Sequence, residues 1–148
     1  MFKSLIISFI LFVNVFAQES VYFLPKQSAQ AKAEIISLID NAKNNIDIAM
    51  YNFKYRAFAK ALEKAALRGV DVKLFYFKKK LKLSKNIKAL KVKKKLHTKI
   101  AIFDKKKVVF GSLNWTKDSF KKNYEVMYIT DKKGIVKKFN NFFNSIRR

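Results

Sequence analysis

The chain has 148 residues, 50% of them hydrophobic, with one Pro, three Gly and no Cys. That length suits one domain, and the composition excludes a disordered tail, a disulfide scaffold, a thiolate metal site and a lipid-modified cysteine. Thirty-three Lys and Arg against ten Asp and Glu give a formal net charge of +23, an excess that repels itself and calls for a polyanionic partner.

Met1-Phe2-Lys3 is followed by Leu5 to Val13, apolar except for Ser8, and then by Val15-Phe16-Ala17. This is the basic, apolar, small-residue order of a secretory signal peptide. Leu5 to Ala17 is also short for a bilayer span, which needs about 20 residues. We therefore expect residues 1–17 to be a signal peptide and residues 18–148 an exported domain, periplasmic or attached to the cell envelope.

Val21-Tyr22-Phe23-Leu24 reads as a strand stopped by Pro25. Gln27 to Ala42 has helical spacing, with Ala31, Ile35, Leu38, Ile39 and Ala42 on one face. After the Asn44-Asn45 break, Ile46, Ile48 and Met50 alternate with Asp47, Ala49 and Tyr51, a strand pattern. Tyr55 to Arg68 predicts a helix with its stop at Gly69, and Val70 to Tyr76 the next strand. This β-α-β-α-β order implies neighbouring parallel strands joined by helical crossovers. Lys78 to Lys95 holds ten Lys in 18 residues and no acid; Leu83, Ile87 and Leu90 suggest a short amphipathic helix within it, with Ser84 as its cap. Leu96 to Phe103 and Lys107 to Phe110 predict a hairpin turning at Asp104-Lys105-Lys106. A polar loop from Gly111, a strand from Tyr124 to Thr130 and a final helix with Ile135, Phe139, Phe142, Phe143 and Ile146 on one side complete the chain. The expected fold is a single α/β domain with a mixed, mostly parallel sheet flanked by helices.

Chemistry concentrates between His97 and Asn114. On a strand His97 and Lys99 point the same way. A lysine among Leu96, Ile100 and Ile102 is costly to bury unless an anion meets its ammonium group. Ser112 and Asn114 add short hydrogen-bond donors beyond Gly111, which allows close backbone approach. A cation, an imidazole, a hydroxyl and an amide together suit a phosphate with a nucleophile beside it.

The joint spacing is more specific than any one residue: His97-x-Lys99-x4-Asp104, six residues, then Gly111-Ser112-x-Asn114. It resembles the HKD signature of the phospholipase D superfamily at every fixed position, and Asn123-Tyr124-Glu125 looks like that family's Asn-x-Glu segment. Small size, basicity and the export signal make the chain most similar to the Nuc-type bacterial endonucleases. The resemblance implies a metal-independent phosphodiesterase without a cofactor. In relatives one His attacks phosphorus to form a phosphohistidine, a second His protonates the leaving oxygen, and water then hydrolyses the intermediate. It implies His97 as the nucleophile, Lys99, Ser112 and Asn114 holding the phosphate oxygens, and Glu125 accepting a hydrogen bond from the His97 ring. Asp104 enters the catalytic set as the third letter of the motif, although its place at a hairpin corner suits a structural role.

His97 is the one histidine in the chain. A two-histidine mechanism then needs a homodimer that brings two copies of His97 to a shared site. One His, no Cys and few carboxylates also make a catalytic metal centre improbable. The lysine-rich stretch favours nucleic acid, DNA or RNA, as the substrate, with single strands preferred if Tyr51, Phe53, Tyr55 or Trp115 stack on unpaired bases instead of packing in the core. Two other readings stay open: a phospholipase D acting on anionic phospholipid, and a non-catalytic basic protein that binds nucleic acid. The charge equally suits adhesion to an anionic membrane surface.

Overall fold

The computed structural model describes residues 17–146, so the expected signal segment lies outside the described residues except for Ala17. Seven strands and four helices follow in the order β1 (Glu19–Leu24), α1 (Ser28–Asn41), β2 (Asn45–Phe53), α2 (Arg56–Leu67), β3 (Asp71–Lys80), β4 (Lys88–Lys91), β5 (Lys99–Phe103), β6 (Lys107–Gly111), α3 (Lys117–Lys121), β7 (Glu125–Thr130) and α4 (Lys133–Ser145). All strands join one sheet in the order β1-β7-β6-β5-β2-β3-β4.

The amphipathic patterns determine the layers. Ala31, Ile35 and Ile39 of α1 and Phe58, Leu62 and Ala65 of α2 are buried against Ile46, Ile48 and Met50 of β2 and Met127 and Ile129 of β7. On the opposite face, Val136 and Phe143 of α4 cluster with Ala49, Phe75, Ile100, Ile102 and Val108. Strand β2 is therefore covered on both sides, and Ile46 to Met50 are all buried. Helix α2 stops where Gly69 takes a φ of +93°, a conformation that costs glycine little. Helix α4 turns slightly from the expected face, with Val136 and Phe143 deepest and Phe142 exposed. Helix α3 falls in the expected polar loop; Thr116 Oγ1 caps it by accepting from the Ser119 N–H at 3.2 Å.

The α/β class and the mixed sheet match expectation, but its pairing is mostly antiparallel. Only β2–β3 and β3–β4 are parallel; β1–β7, β2–β5, β5–β6 and β6–β7 are antiparallel. Strand β1 does not neighbour β2. Its exposure alternates, with Val21 and Phe23 on a face that α4 leaves open, and that pattern suits a sheet edge, whereas β2 requires the centre. The lysine-rich stretch also departs from expectation. It extends β3 to Lys80 and then forms edge strand β4 in place of a helix. A helix would crowd like charges at i, i+3 and i+4, which is destabilising; an extended strand sends Ala89 and Leu90 to opposite cores and separates the lysines.

These pairings bring the C-terminal ends of β1, β2 and β6 and the N-terminal ends of β5 and β7 to one rim of the sheet. Every strand-end residue singled out for chemistry, except Asp104, lies on that rim.

Candidate active site

Leu96 is buried in the α4-side core and anchors the approach to β5, leaving His97 exposed just before the strand. Lys99, the first residue of β5, folds its side chain back so that Nζ donates to the His97 carbonyl oxygen at 2.7 Å. The same ammonium stands 3.3 Å from His97 Nδ1 and 3.5 Å from Nε2. It cannot lie along both ring lone pairs, so the carbonyl is its main acceptor. Burial pushes the Lys99 ammonium below the ordinary lysine value, and the Glu125 carboxylate acts in the opposite direction. An incoming anion would supply the compensation that burial withholds.

The Gly111–Trp115 loop alternates in its exposure. Leu113 and Trp115 are buried, and they turn Ser112 and Asn114 outward. The loop is tied to the end of β2 by the Lys54 N–H donating to the Trp115 carbonyl at 2.7 Å. The Asn114 Oδ1 accepts from the Asn52 N–H at 3.1 Å, fixing that amide oxygen and leaving Nδ2 to act as donor. Gly111 is required by close packing: a Cβ there would stand 2.0 Å from the Val126 carbonyl oxygen. That closeness lets Ser112 Oγ accept from the Val126 N–H at 3.1 Å and donate to Glu125 Oε2. Asn123 Nδ2 donates to the other Glu125 oxygen at 3.2 Å.

Glu125 therefore orients Ser112 and Asn123. No hydrogen bond links it to the His97 ring, contrary to expectation. Strand β6 lies between β5 and β7, a separation of roughly 9–10 Å that a glutamate does not reach across; the Glu125 charge acts on Lys99 only through space. The His97 ring meets Tyr51, edge to face at 4.8 Å between centroids. The Tyr51 N–H donates to the Thr98 carbonyl at 3.1 Å, which fixes this neighbour. Asn52 and Thr98 were not among the expected site residues. Each carries a buried side-chain oxygen with no hydrogen-bond partner among the described residues, at Asn52 Oδ1 and Thr98 Oγ1. Their small polar side chains next to Tyr51 and His97 are the only sequence signal for them.

Asp104 does not join this group. It sits at the other end of β5, five residues from Lys99 along the chain and roughly 17 Å away. Its φ is +50°, and its carboxylate accepts from the backbone N–H groups of Lys43, Asn44 and Asn45 at 2.7–3.2 Å. Burial raises its carboxyl, but these three donors outweigh that and hold it below the usual carboxylate range. These contacts are those of a scaffold residue: Asp104 ties the β5–β6 turn to the start of β2. Of the aromatic candidates for base stacking, Phe53, Tyr55 and Trp115 are buried in the core. Only Tyr51 remains at the rim. Among the described residues no group of three or more His, Cys, Asp and Glu side chains is placed to share a metal ion.

This arrangement can be set beside known proteins. Residues 35–147 match the family model described as "Cardiolipin synthase, PLD-like domain". A relative named "Phospholipase D", from Rickettsia prowazekii, is 31% identical over 122 residues, covering 74% of this chain and 60% of its own length. Two solved structures superpose with a TM-score of 0.77: NucT from Helicobacter pylori, 28% identical, and the phospholipase D family member Nuc from Salmonella typhimurium, 26% identical. Each covers 88% of this chain, which in turn covers 96% of NucT and 94% of Nuc. With the family model matching most of the chain, and with His97, Lys99, Ser112 and Asn114 displayed on one rim of the shared fold, the chain belongs to the phospholipase D superfamily and carries its phosphodiesterase fold.

Proposed function

We propose that the protein is an exported, nonspecific endonuclease that hydrolyses phosphodiester bonds of DNA or RNA through a phosphohistidine, without a metal ion. The observation that carries this reading is the gathering of these side chains at one rim. His97 meets Lys99 and Tyr51, Lys99 lies in the field of Glu125, Glu125 holds Ser112, and Asn114 is fixed by the residue after Tyr51. A His97 ring nitrogen attacks phosphorus while the bond to the leaving oxygen breaks. Lys99, Ser112 and Asn114 stabilise the negative charge on the non-bridging oxygens. Water then attacks phosphorus and the P–N bond breaks, returning the free imidazole. A net charge of +23 and the likeness to NucT and Nuc over nearly their whole length favour nucleic acid.

The leaving oxygen needs a proton, and general acid help is worth about 10²–10⁴ in rate. The sequence offers one histidine, so the donor is His97 of a second copy, which also takes the proton from the attacking water. An exposed apolar strip supports such pairing. Val21, Phe23 and Val126 are 44%, 63% and 38% exposed on the sheet face that α4 leaves open, and Tyr124 beside Glu125 is 95% exposed. Export follows from the order of residues 1–17. A basic cavity supports adhesion to an anionic envelope surface: Lys105, Lys106, Lys132, Lys133 and Lys137 line it beside Ala17, on the rim opposite His97.

The name of the Rickettsia relative and the description of the family model favour a second reading, a phospholipase D acting on anionic phospholipid. This chain spans only 60% of that relative's length. One experiment separates the readings: pure wild type and His97→Ala are incubated with DNA, RNA and labelled phospholipid vesicles. Cleavage of nucleic acid that requires His97 supports the nuclease. Headgroup release alone would replace it with the lipase, and binding without turnover would make the protein a non-catalytic binder. Mixing wild-type and His97→Ala chains under subunit exchange tests the shared site. Activity should fall faster than the wild-type fraction, and strict proportionality would refute the dimer.

A further inference from the structure

The rim opposite His97 carries a cavity of about 840 Å³, lined by Lys105 and Lys106 of the β5–β6 turn and by Lys132, Lys133 and Lys137 at the start of α4. All five lysines are exposed. Glu19, Asp47 and Asp104 feel Lys132, Lys105 and Lys106 through space, but none of the five forms an ion pair with a carboxylate among the described residues. Asp131 is the one carboxylate of the lining, and its Oδ1 is taken up by the Gln18 N–H at 2.7 Å. The charge also stands where a helix tolerates it least. The start of α4 is the positive end of its dipole, yet it has no acidic residue in the first turn and no side-chain cap. Lys133 and Lys137 lie four residues apart, a like-charge pair that opposes the helix further. An anion seated in the cavity relieves all of these repulsions together.

The path of the chain identifies a lipid surface as the source of that anion. Gln18 is pinned to the cavity wall: besides its N–H on Asp131, its Oε1 accepts from Lys107 Nζ at 2.8 Å and its carbonyl accepts from the Asp131 N–H at 3.3 Å. Four residues, at most roughly 14 Å of extended chain, lead from Val13 at the end of the apolar run to Ala17 at the cavity's lip. This face is therefore the part of the domain tethered nearest to that run, wherever a bilayer holds it. A phosphate seated here stands at least roughly 17 Å from Lys99, the length of β5, so it is no neighbour of the scissile bond. We propose that the cavity is the docking site for the phosphate headgroups of anionic phospholipid, and that docking turns the His97 rim away from the bilayer. The enzyme is then held at the envelope with its reaction centre open to dissolved polymer and out of reach of the headgroups that hold it. This rests on the adhesion reading and adds to it the seat and the orientation.

The test uses the full chain and two triple variants with the same loss of charge: Lys132→Gln/Lys133→Gln/Lys137→Gln in the cavity, and Lys26→Gln/Lys32→Gln/Lys121→Gln in a groove beside the His97 rim. Co-sedimentation is measured with vesicles of phosphatidylcholine alone and with vesicles that also contain phosphatidylglycerol, so that the apolar run contributes equally to both. Wild type should prefer the anionic vesicles. The cavity variant should lose about 10²-fold of that preference, or about fivefold per lysine, against a clearly smaller loss for the other variant. Hydrolysis of a dissolved DNA strand should be unchanged in the cavity variant. On sedimented vesicles the wild type should cleave that strand at its solution rate and release no headgroup. Equal losses in the two variants, an equally large loss of DNA binding by the cavity variant, or headgroup release from the bound vesicles overturns the docking site. Should the cavity variant fail to fold, Lys105→Gln/Lys106→Gln on the β5–β6 turn takes its place, with an expected loss of about 25-fold. Wild type that ignores anionic vesicles refutes the adhesion reading itself, whereas wild type that docks as described but cleaves no nucleic acid refutes the nuclease reading and leaves the docking site standing.

Discussion

Asp104 offers the sharpest separation of motif from mechanism, because its signature position suggests catalysis and its surroundings assign it to the scaffold. Its carboxylate takes three backbone N–H donors, from Lys43, Asn44 and Asn45, at a residue whose φ is +50°. Substitution by Ala removes all three acceptor contacts. Lys43 and Asn44 are exposed, so water can replace their lost partner, whereas Asn45 is half-buried and keeps a larger penalty. Hydrogen bonds to a charged group are worth about 1.5–3 kcal/mol, and placing Ala in the left-handed region costs about 1–2 kcal/mol more. The expected loss for Asp104→Ala is about 3–4 kcal/mol, or roughly 10–15 °C in Tm for a domain of this size. Asp104→Asn tolerates the backbone conformation and retains one acceptor oxygen, so it should lose about half as much. Because the folded-state pKa is lowered, this stabilisation is complete above the unfolded carboxyl value near 4 and disappears as pH falls through the folded value. The Tm gap between wild type and Asp104→Asn should therefore narrow in acid. Well below the melting temperature, turnover of bis(p-nitrophenyl) phosphate by both variants should stay within about threefold of wild type. A hundredfold loss of turnover with unchanged Tm would return Asp104 to the catalytic set and refute the argument.

Three further outcomes follow from the rim. Lys99→Met should lower turnover about 10²–10³-fold with little change in Tm, since it removes a preorganised cation from the developing charge; near-normal turnover would exclude Lys99 from the transition state. Gly111→Ala should cost at least about 1–3 kcal/mol, read by thermal melting, because its Cβ would meet the backbone oxygen of Val126 at 2.0 Å. Turnover should fall with it as Ser112 moves off Glu125, and a fully stable, active variant would refute the close approach. Cleavage of DNA should persist in excess chelator and weaken steeply as salt rises; abolition by chelator with rescue by a divalent ion would refute metal-independent chemistry.

The spacing from His97 to Asn114 determined the family and named four of the rim residues, because the reacting groups sit on consecutive strand ends and need only a hairpin to come together. The faces of α1 and α2, the β5–β6 hairpin and the need for Gly111 were legible for a similar reason: each depends on residues close in sequence. Tertiary structure decided the rest, wherever partners are distant. Strand β1 is an edge strand because β2 has both its neighbours from later segments. The lysine-rich stretch is a strand because β3 offers it an open edge and charge repulsion opposes a helix. The partner of Glu125 is Ser112 because β6 lies between β5 and β7, a matter of sheet order that no local pattern encodes. Asp104 belongs to the scaffold because the α1–β2 loop, about sixty residues earlier, brings three N–H groups to it. The register shift between β2 and β3 past Met50 and Tyr76 was not legible either, because register exists only once two strands are paired.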